Sequence, residues 1–200
     1  MSVVPSPAPA PTPALPANYD RKFPAPDEEG VIDQAVNDVR QVLDSVVDPE
    51  IPVLTIADLG ILRDVAVSAD GQVTVTITPT YSGCPAMDAI RDDVVTALRA
   101  AGYDDVVVRL VLAPAWTTDW MSEDGRRKLA DYGIAPPTGR AAVRGVGAPS
   151  AAPIPLALSV RCPQCGSLDT AEVSRFGSTA CKSLWSCRAC REPFDSFKVL

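Results

Sequence analysis

The chain has 200 residues, 46% of them hydrophobic, with 18 basic against 25 acidic side chains, which fits one globular domain plus a small second module. No apolar run approaches the ~20 residues that span a bilayer, and the chain contains no histidine. Membrane spans and Ser-His or Cys-His catalytic dyads are therefore excluded. Because residues 1–17 lack the pattern of an export signal, we expect a cytoplasmic protein with reduced cysteines.

The negative charge lies mostly ahead of the C-terminal module. Residues 156–200 carry six basic and four acidic side chains, whereas residues 1–155 carry 12 basic and 21 acidic ones. An acidic body repels phosphate backbones, so nucleic acid would have to bind through a weakly basic tail alone. We therefore expect no nucleic-acid partner, and no membrane partner.

The N-terminal residues predict a tail followed by a helix. Residues 1–27 are rich in proline, alanine and serine, a composition that predicts disorder. From Glu28, and clearly over 31–46, apolar residues recur at the spacing of one helix face. The pattern stops at Asp48-Pro49, which predicts the end of the helix there.

Two strands are predicted next, at residues 61–68 and 72–78. Apolar and polar residues alternate in the second of them, which indicates one buried face. The dipeptide Asp70-Gly71 between the two is a favoured hairpin turn.

A second helix is predicted from Pro85 to a stop at Gly102, followed by a third strand at 106–112. A short helix is predicted at 122–132. The order helix, strand, strand, helix, strand predicts an α+β domain over 28–135, with two helices on one face of a three-stranded sheet.

The C-terminal module is predicted to be a metal-binding, zinc-ribbon-like β module. A Pro/Gly/Ala-rich linker at 136–157 leads to residues 158–200. This module contains two Cys-x-x-Cys pairs, made by Cys162, Cys165, Cys187 and Cys190.

Two such pairs supply the tetrahedral four-sulfur set that zinc takes in ribbon modules. Gly166 stands after the first pair, where the turn needs a residue free to take positive φ. Four protein ligands leave no open coordination position, so the metal would be structural. Tetrahedral sulfur suits zinc and iron alike, and two disulfides in a secreted domain are the alternative reading.

Cys84 is a candidate reactive thiol. It directly precedes Pro85, close to a helix N-terminus whose free N–H groups and dipole favour an anion. We therefore expect a lowered pKa for Cys84 and a role as nucleophile, redox centre or soft-metal ligand. The alternative is a small hydrophobic side chain packed under the helix.

Other residues carry weaker signals. Asp48 and Asp58 lie in irregular turns, where they could act in the site or merely cap a chain end and an Asx turn. The Trp116/Trp120 pair is expected in the core or in an oligomer interface rather than at a ligand. Cys181 is left over near the metal module; it could replace a ligand of the Cys-x-x-Cys pairs, bridge another metal or be inert.

Residues 48–52, 58–60 and 78–85 together resemble the small domain shared by SufT-like and other iron-sulfur assembly proteins, over about 31–136. The two Cys-x-x-Cys pairs, together with 176–182 and 193–198, look more narrowly like the PaaD-type subunit of the phenylacetyl-CoA epoxidase (ring 1,2-oxygenase) system. The long proline-rich start departs from the usual pattern of that family.

This resemblance implies an accessory protein of aerobic phenylacetate degradation. It would mature the multicomponent phenylacetyl-CoA 1,2-epoxidase, or deliver iron or an iron-sulfur cluster to it, with Cys84 as the transfer ligand. Since one cysteine cannot hold a cluster alone, the family suggests a homo-oligomer in which Cys84 of two chains, with Asp48 or Asp58, shares the cluster. The implied partners are epoxidase subunits or their reductase.

Two other functions remain open at this point. The first is a stoichiometric structural subunit of the oxygenase, suggested by the tryptophan segment. The second is an independent thiol enzyme, which has little support because Cys84 has no histidine to act as its base. We therefore expect a protein that is not itself catalytic.

Overall fold

Two three-stranded sheets organise residues 26–137 and 160–199, the parts of the chain described by the computed structural model. The predicted linker at 136–157, apart from its first two residues, and all but the last two residues of the predicted tail lie outside these ranges. Within them, no helix is both long and apolar enough to cross a bilayer.

The first domain, called the body here, contains three α-helices, three strands and one 3₁₀ turn. In chain order these are α1 (Pro26–Leu43), β1 (Leu62–Val67), β2 (Val73–Ile77), α2 (Ala86–Ala100), β3 (Val106–Leu110), the 3₁₀ turn (Thr118–Trp120) and α3 (Glu123–Asp131). The second domain, called the ribbon here, contains β4 (Thr170–Ser174), β5 (Lys182–Cys187) and β6 (Pro193–Phe197).

The body sheet has the strand order β1-β2-β3, with β2 antiparallel to β1 and parallel to β3. Val73, Val75 and Ile77 of the central strand are fully buried, as their alternation with threonines predicts. Helices α1 and α2 pack on the sheet and on each other, and α2 contributes Ile90 and Leu98 to the core. The predicted α+β arrangement is confirmed.

The predicted end of the first helix was wrong. Helix α1 ends at Leu43 rather than near Val46, because the hydrogen bonds tighten there to three-residue turns: Val46 N–H donates to the Leu43 carbonyl at 3.1 Å. Val46 is still buried, so the apolar spacing runs on past the helix. The helix also begins two residues early, at Pro26, a residue that suits a first turn.

The ribbon packs directly on the body along a boundary that we call the seam. Ala135 N–H donates to the Asp195 carbonyl at 2.8 Å, and Phe197 N–H donates to the Ala135 carbonyl at 2.9 Å. The Phe197 ring lies 6.1 Å from the ring of Trp116. The two domains therefore share a buried apolar boundary.

Trp116 lies in this core, 6% exposed, and its indole N–H donates to the Leu59 carbonyl at 2.9 Å. Trp120 is partly buried beneath the Arg63 guanidinium, 3.5 Å from the ring centroid. The core position expected for this pair is therefore the one found, and Trp116 forms a contact within the chain.

Candidate metal-binding sites

The four cysteines of the predicted Cys-x-x-Cys pairs, Cys162, Cys165, Cys187 and Cys190, converge on one point, and we call them the quartet. Their sulfurs all lie within 4.8 Å of one another. The Cys162–Cys190 pair is 3.7 Å apart and the Cys165–Cys187 pair is 3.5 Å apart. A zinc ion bonded to four sulfurs at ~2.3 Å would place them about 3.8 Å apart, so the donors fit a tetrahedral ion.

The two Cys-x-x-Cys turns of the ribbon have matching backbone conformations. Gly166 follows Cys165 with φ of 74°, as expected, and Arg191 follows Cys190 with φ of 67°. A non-glycine residue rarely takes positive φ, so the second turn carries backbone strain that the metal geometry requires.

The second turn also favours thiolate formation at its first cysteine. The backbone N–H of Cys190 lies 3.5 Å from the Cys187 sulfur and lowers the pKa of Cys187. Cys187 is fully buried. A buried sulfur poised to lose its proton is what a structural metal ligand requires.

Cys84 lies between β2 and α2, half-buried, at the end of a tight turn. Its backbone N–H donates to the Tyr81 carbonyl at 3.2 Å, and Gly83 makes the turn possible with φ of 85°. Helix α2 begins at Ala86, one residue later than predicted, and the Ala86 N–H donates to the Cys84 sulfur. The predicted placement beside a helix N-terminus is therefore found.

Two carboxylates stand close to Cys84. Asp48 is 7% exposed, and its Oδ1 accepts the backbone N–H groups of Glu50 at 2.8 Å and Ile51 at 2.9 Å. Asp48 thus caps its own turn, and its charge also acts on Cys84. Burial raises the pKa of Asp48 despite these hydrogen bonds, and burial together with the Asp48 charge raises the pKa of Glu50.

The expected lowering of the Cys84 pKa was wrong in direction. Burial raises the pKa of the Cys84 thiol, and the charges of Glu50 and Asp48 raise it further. The Ala86 N–H and the Tyr81 hydroxyl act in the opposite direction but do not outweigh them. Without a cation, this surrounding keeps Cys84 as the neutral thiol, whereas a bound cation would offset both carboxylates.

The Tyr81 hydroxyl is a member of this site that sequence reasoning did not single out. It hydrogen-bonds the Cys84 side chain, and burial followed by the Cys84 charge raises the pKa of Tyr81 to about 12. Tyr81 therefore stays protonated and can donate to the sulfur. Glu50 was also passed over, although both residues lie within the motif segments 48–52 and 78–85.

A protein from Escherichia coli K12, by its name the D-type subunit of a "Putative 1,2-phenylacetyl-CoA epoxidase", is 47% identical over 165 residues, covering 82% of this chain and 93% of that protein. The chain belongs to this PaaD-type family. The family model described as PaaD zinc beta ribbon domain matches residues 148–198, and the model described as iron-sulfur cluster assembly protein matches residues 37–110. Both domains of this PaaD-type protein thus have the relatives that the motifs indicated.

Relatives of the body alone are also found. A protein from Porphyromonas gingivalis W83 named Fe-S protein maturation auxiliary factor is 42% identical and covers 48% of this chain and 91% of its own length. A crystal structure of a domain of unknown function from Bacillus anthracis is 27% identical, with a TM-score of 0.48, covering 50% of this chain and 96% of that one.

Asp58 of this PaaD-type protein is engaged in a different network. Its carboxylate accepts the backbone N–H of Thr55 at 3.2 Å and the hydroxyl of Ser122 at 3.0 Å, and it pairs with Lys128 of α3. Burial alone would raise the pKa of Asp58, but these donors, Lys128 foremost, hold it below its ordinary value. The expectation of Asp58 as a ligand beside Cys84 is therefore corrected: Asp58 anchors α3 to its own turn.

Replacing Asp58 by asparagine is expected to cost about 1.5–3 kcal/mol at pH 7, because hydrogen bonds to a charged group are lost. A lowered folded-state pKa means that ionised Asp58 stabilises the fold above its unfolded pKa of about 3.9, and that this contribution is lost as pH falls. Urea unfolding at pH 7 and pH 3 should show the difference from wild type shrinking with acid. Asp124→Asn is the control, since its pairing with Arg127 is exposed. A difference that is equal at both pH values would contradict the assignment.

Cys181 lies outside the quartet. It is 5% exposed and belongs to the core of the body, although it stands directly before β5 of the ribbon. The Thr179 hydroxyl oxygen lies 3.0 Å from its sulfur. Of the roles left open by the sequence, replacement of a quartet ligand is excluded, because the four quartet sulfurs already meet without it.

Proposed function

We propose that this chain loads iron or an iron-sulfur cluster into the phenylacetyl-CoA epoxidase, and that Cys84 is the ligand that transfers this cargo. The observation that carries the proposal is the position of Cys84, half-buried beside the Tyr81 hydroxyl and two carboxylates. The match of residues 37–110 to iron-sulfur cluster assembly proteins supports the choice of cargo.

The chemistry of this site suits a cation that is held and then released. A thiolate is a soft iron ligand, and Glu50 and Asp48 add negative charge close to it. Because Cys84 is a thiol in the absence of metal, iron binding must displace its proton, and loading should strengthen as pH rises. Both residues of the pair Cys84 and Tyr81 lie in a loop that retains partial solvent access, so a partner can reach the sulfur.

The quartet has the complementary role. We infer that it holds one zinc ion, which the similarity of residues 148–198 to a zinc ribbon supports, although sulfur ligands suit iron too. With four protein ligands this ion has no position for an exchanging partner. It holds the ribbon folded against the body and takes no part in the transfer.

The partners are inferred from the family. A PaaD-type protein would act on the other epoxidase subunits or on their reductase, in the cytoplasm, and a homo-oligomer remains a prediction. The runner-up role, a stoichiometric structural subunit, loses its original motive because Trp116 is buried within the chain. Exposed Val173 and Phe176 on the ribbon, 61% and 74% exposed, still offer an apolar contact for another epoxidase chain.

Cys84→Ser tests the proposal. In cells producing all epoxidase subunits, the variant should leave the epoxidase deficient in iron and its activity reduced at least tenfold, because the oxygen ligand binds iron more weakly than a thiolate. Iron content per purified epoxidase and turnover of phenylacetyl-CoA are the measurements. Ser82→Ala, an exposed change in the same loop, is the matched control.

Normal iron content and activity with Cys84→Ser would overturn the proposal. Recovery of this chain at a fixed ratio with active epoxidase throughout turnover, with iron content independent of Cys84, would favour the structural role instead. Turnover of phenylacetyl-CoA by the isolated chain would revive the thiol enzyme.

A further inference from the structure

We propose that Cys181 of the ribbon is the second protein ligand for the iron carried by Cys84. One chain would then hold its cargo at the seam between two thiolates that come from two different domains. This inference rests on the proposed function, and it replaces the arrangement in which Cys84 of two chains shares the cargo.

The first argument is the location of Cys181. The sulfur sits in the body core rather than in the smaller core that surrounds the quartet, and Cys84 packs against the same core. Phe197 of β6 enters this core beside it. The ribbon thus inserts one cysteine and one aromatic ring into the body, on the side where Asp48 lies.

The second argument is that Cys84 and Cys181 share their neighbours. The charges of Glu50 and Asp48 act on both thiols and, after burial, raise the pKa of each. Tyr81, which hydrogen-bonds Cys84, also lies near enough to Cys181 for the charge of that thiolate to act on the phenol. Two thiols and two carboxylates around one tyrosine form an environment that a cation would stabilise.

The loop that presents Cys181 is tied down on both sides. Gly177 N–H donates to the Lys182 carbonyl at 2.8 Å, and the Ser178 hydroxyl donates to Asp195 at 2.8 Å. Lys198 N–H donates to the Cys181 carbonyl at 3.0 Å. These contacts place the sulfur through β6, the strand that also docks on the body.

One positive charge lies in the seam as well. Lys182 is 5% exposed and also faces Asp48 and Glu50. Its ammonium group lies 3.6 Å from the Asp195 carboxylate, which offsets part of its charge. The two carboxylates of the site are thus left available for a further cation.

The seam is an open site. Among the described residues, only the quartet brings three or more Cys, Asp or Glu donors within reach of one ion. Two sulfurs at the seam would leave the remaining positions to a donor or acceptor protein, as transfer requires. The quartet, by contrast, is closed.

The test uses the full chain with zinc in the quartet, titrated anaerobically with iron(II) in competition with a chelator. Wild type should bind one further iron per chain, with two sulfur neighbours by X-ray absorption at the iron edge, a measurement that does not detect zinc. Cys181→Ser should leave one sulfur neighbour and weaken iron binding at least tenfold. Thr179→Val is the control: it removes the 3.0 Å contact to Cys181 but keeps the thiol, and should bind iron with two sulfurs.

Because Cys181 is buried, Cys181→Ala is made alongside the serine variant, and zinc content and the melting curve identify which of the two folds. If Cys84→Ser abolishes iron binding while the folded Cys181 variant retains wild-type affinity and sulfur count, the present inference fails and the proposed function stands. If neither substitution changes iron binding, both fail. One iron per two chains in wild type would favour Cys84 shared between chains and would also overturn the inference.

Discussion

Replacing Cys187 by serine is expected to unfold the ribbon. Cys187 is fully buried, and its sulfur lies 3.5 Å from that of Cys165. A structural zinc contributes about 10–16 kcal/mol to the folding of zinc-finger peptides, far more than a small three-stranded sheet gains from its own core. Elemental analysis should show the zinc falling from one per chain to none, and limited proteolysis should cleave residues 160–199 while sparing the body.

The matched control for this experiment is Cys181→Ser, a buried cysteine of the same domain that lies outside the quartet. It should keep one zinc per chain, as should Cys84→Ser. A folded, protease-resistant ribbon in zinc-free Cys187→Ser would show that the metal is not structural. The assignment of the quartet as the closed site would then be lost.

Phe197→Ala is expected to destabilise the whole chain by about 3–5 kcal/mol. Phe197 is 2% exposed and its ring lies 6.1 Å from Trp116, so its removal leaves a cavity where the two domains meet. Since β6 also holds the loop of Cys181 through Lys198, the loss should extend to the seam. Chemical unfolding followed by tryptophan fluorescence measures the change, because Trp116 reports directly on the contact.

Phe176→Ala is the control for the second prediction. Phe176 belongs to the same domain but is 74% exposed, and its ring lies beside the Lys198 ammonium, 4.8 Å from the ring centroid. Its removal should change the free energy of unfolding by less than about 1 kcal/mol. Equal effects of the two substitutions would mean that the ribbon does not use Phe197 to dock on the body.

Local signals explain which elements could be predicted. The hairpin at Asp70-Gly71 and the alternating strand β2 depend on neighbouring residues alone, and both are found. The quartet follows from its spacing, because each Cys-x-x-Cys turn positions its own two sulfurs and only their meeting is left to the fold. The end of α1 was missed because Val46 is buried for tertiary reasons while it no longer belongs to the helix.

The site around Cys84 shows where sequence reasoning reached its limit. The helix N-terminus, a local feature, was correctly placed beside the sulfur, yet the sign of the pKa shift depends on burial and on Glu50 and Asp48, which are distant in sequence. Asp58 likewise looked equivalent to Asp48 until α3 supplied Lys128 and the residue before it in the chain, Ser122, supplied a hydroxyl. Electrostatic effects depend on distance in space, which spacing along the chain does not provide.

The amino-acid sequence by itself determined two domains, a structural metal site made by four cysteines, and a thiol at the start of a helix, because each of these is encoded by residues close together in the chain. The tertiary structure alone decided that Cys181 enters the body rather than the quartet, and that the ribbon docks through Phe197 and Ala135. These contacts join segments separated by tens of residues. They form because apolar surface on two small domains is removed from water together, and no local pattern specifies which surfaces will meet.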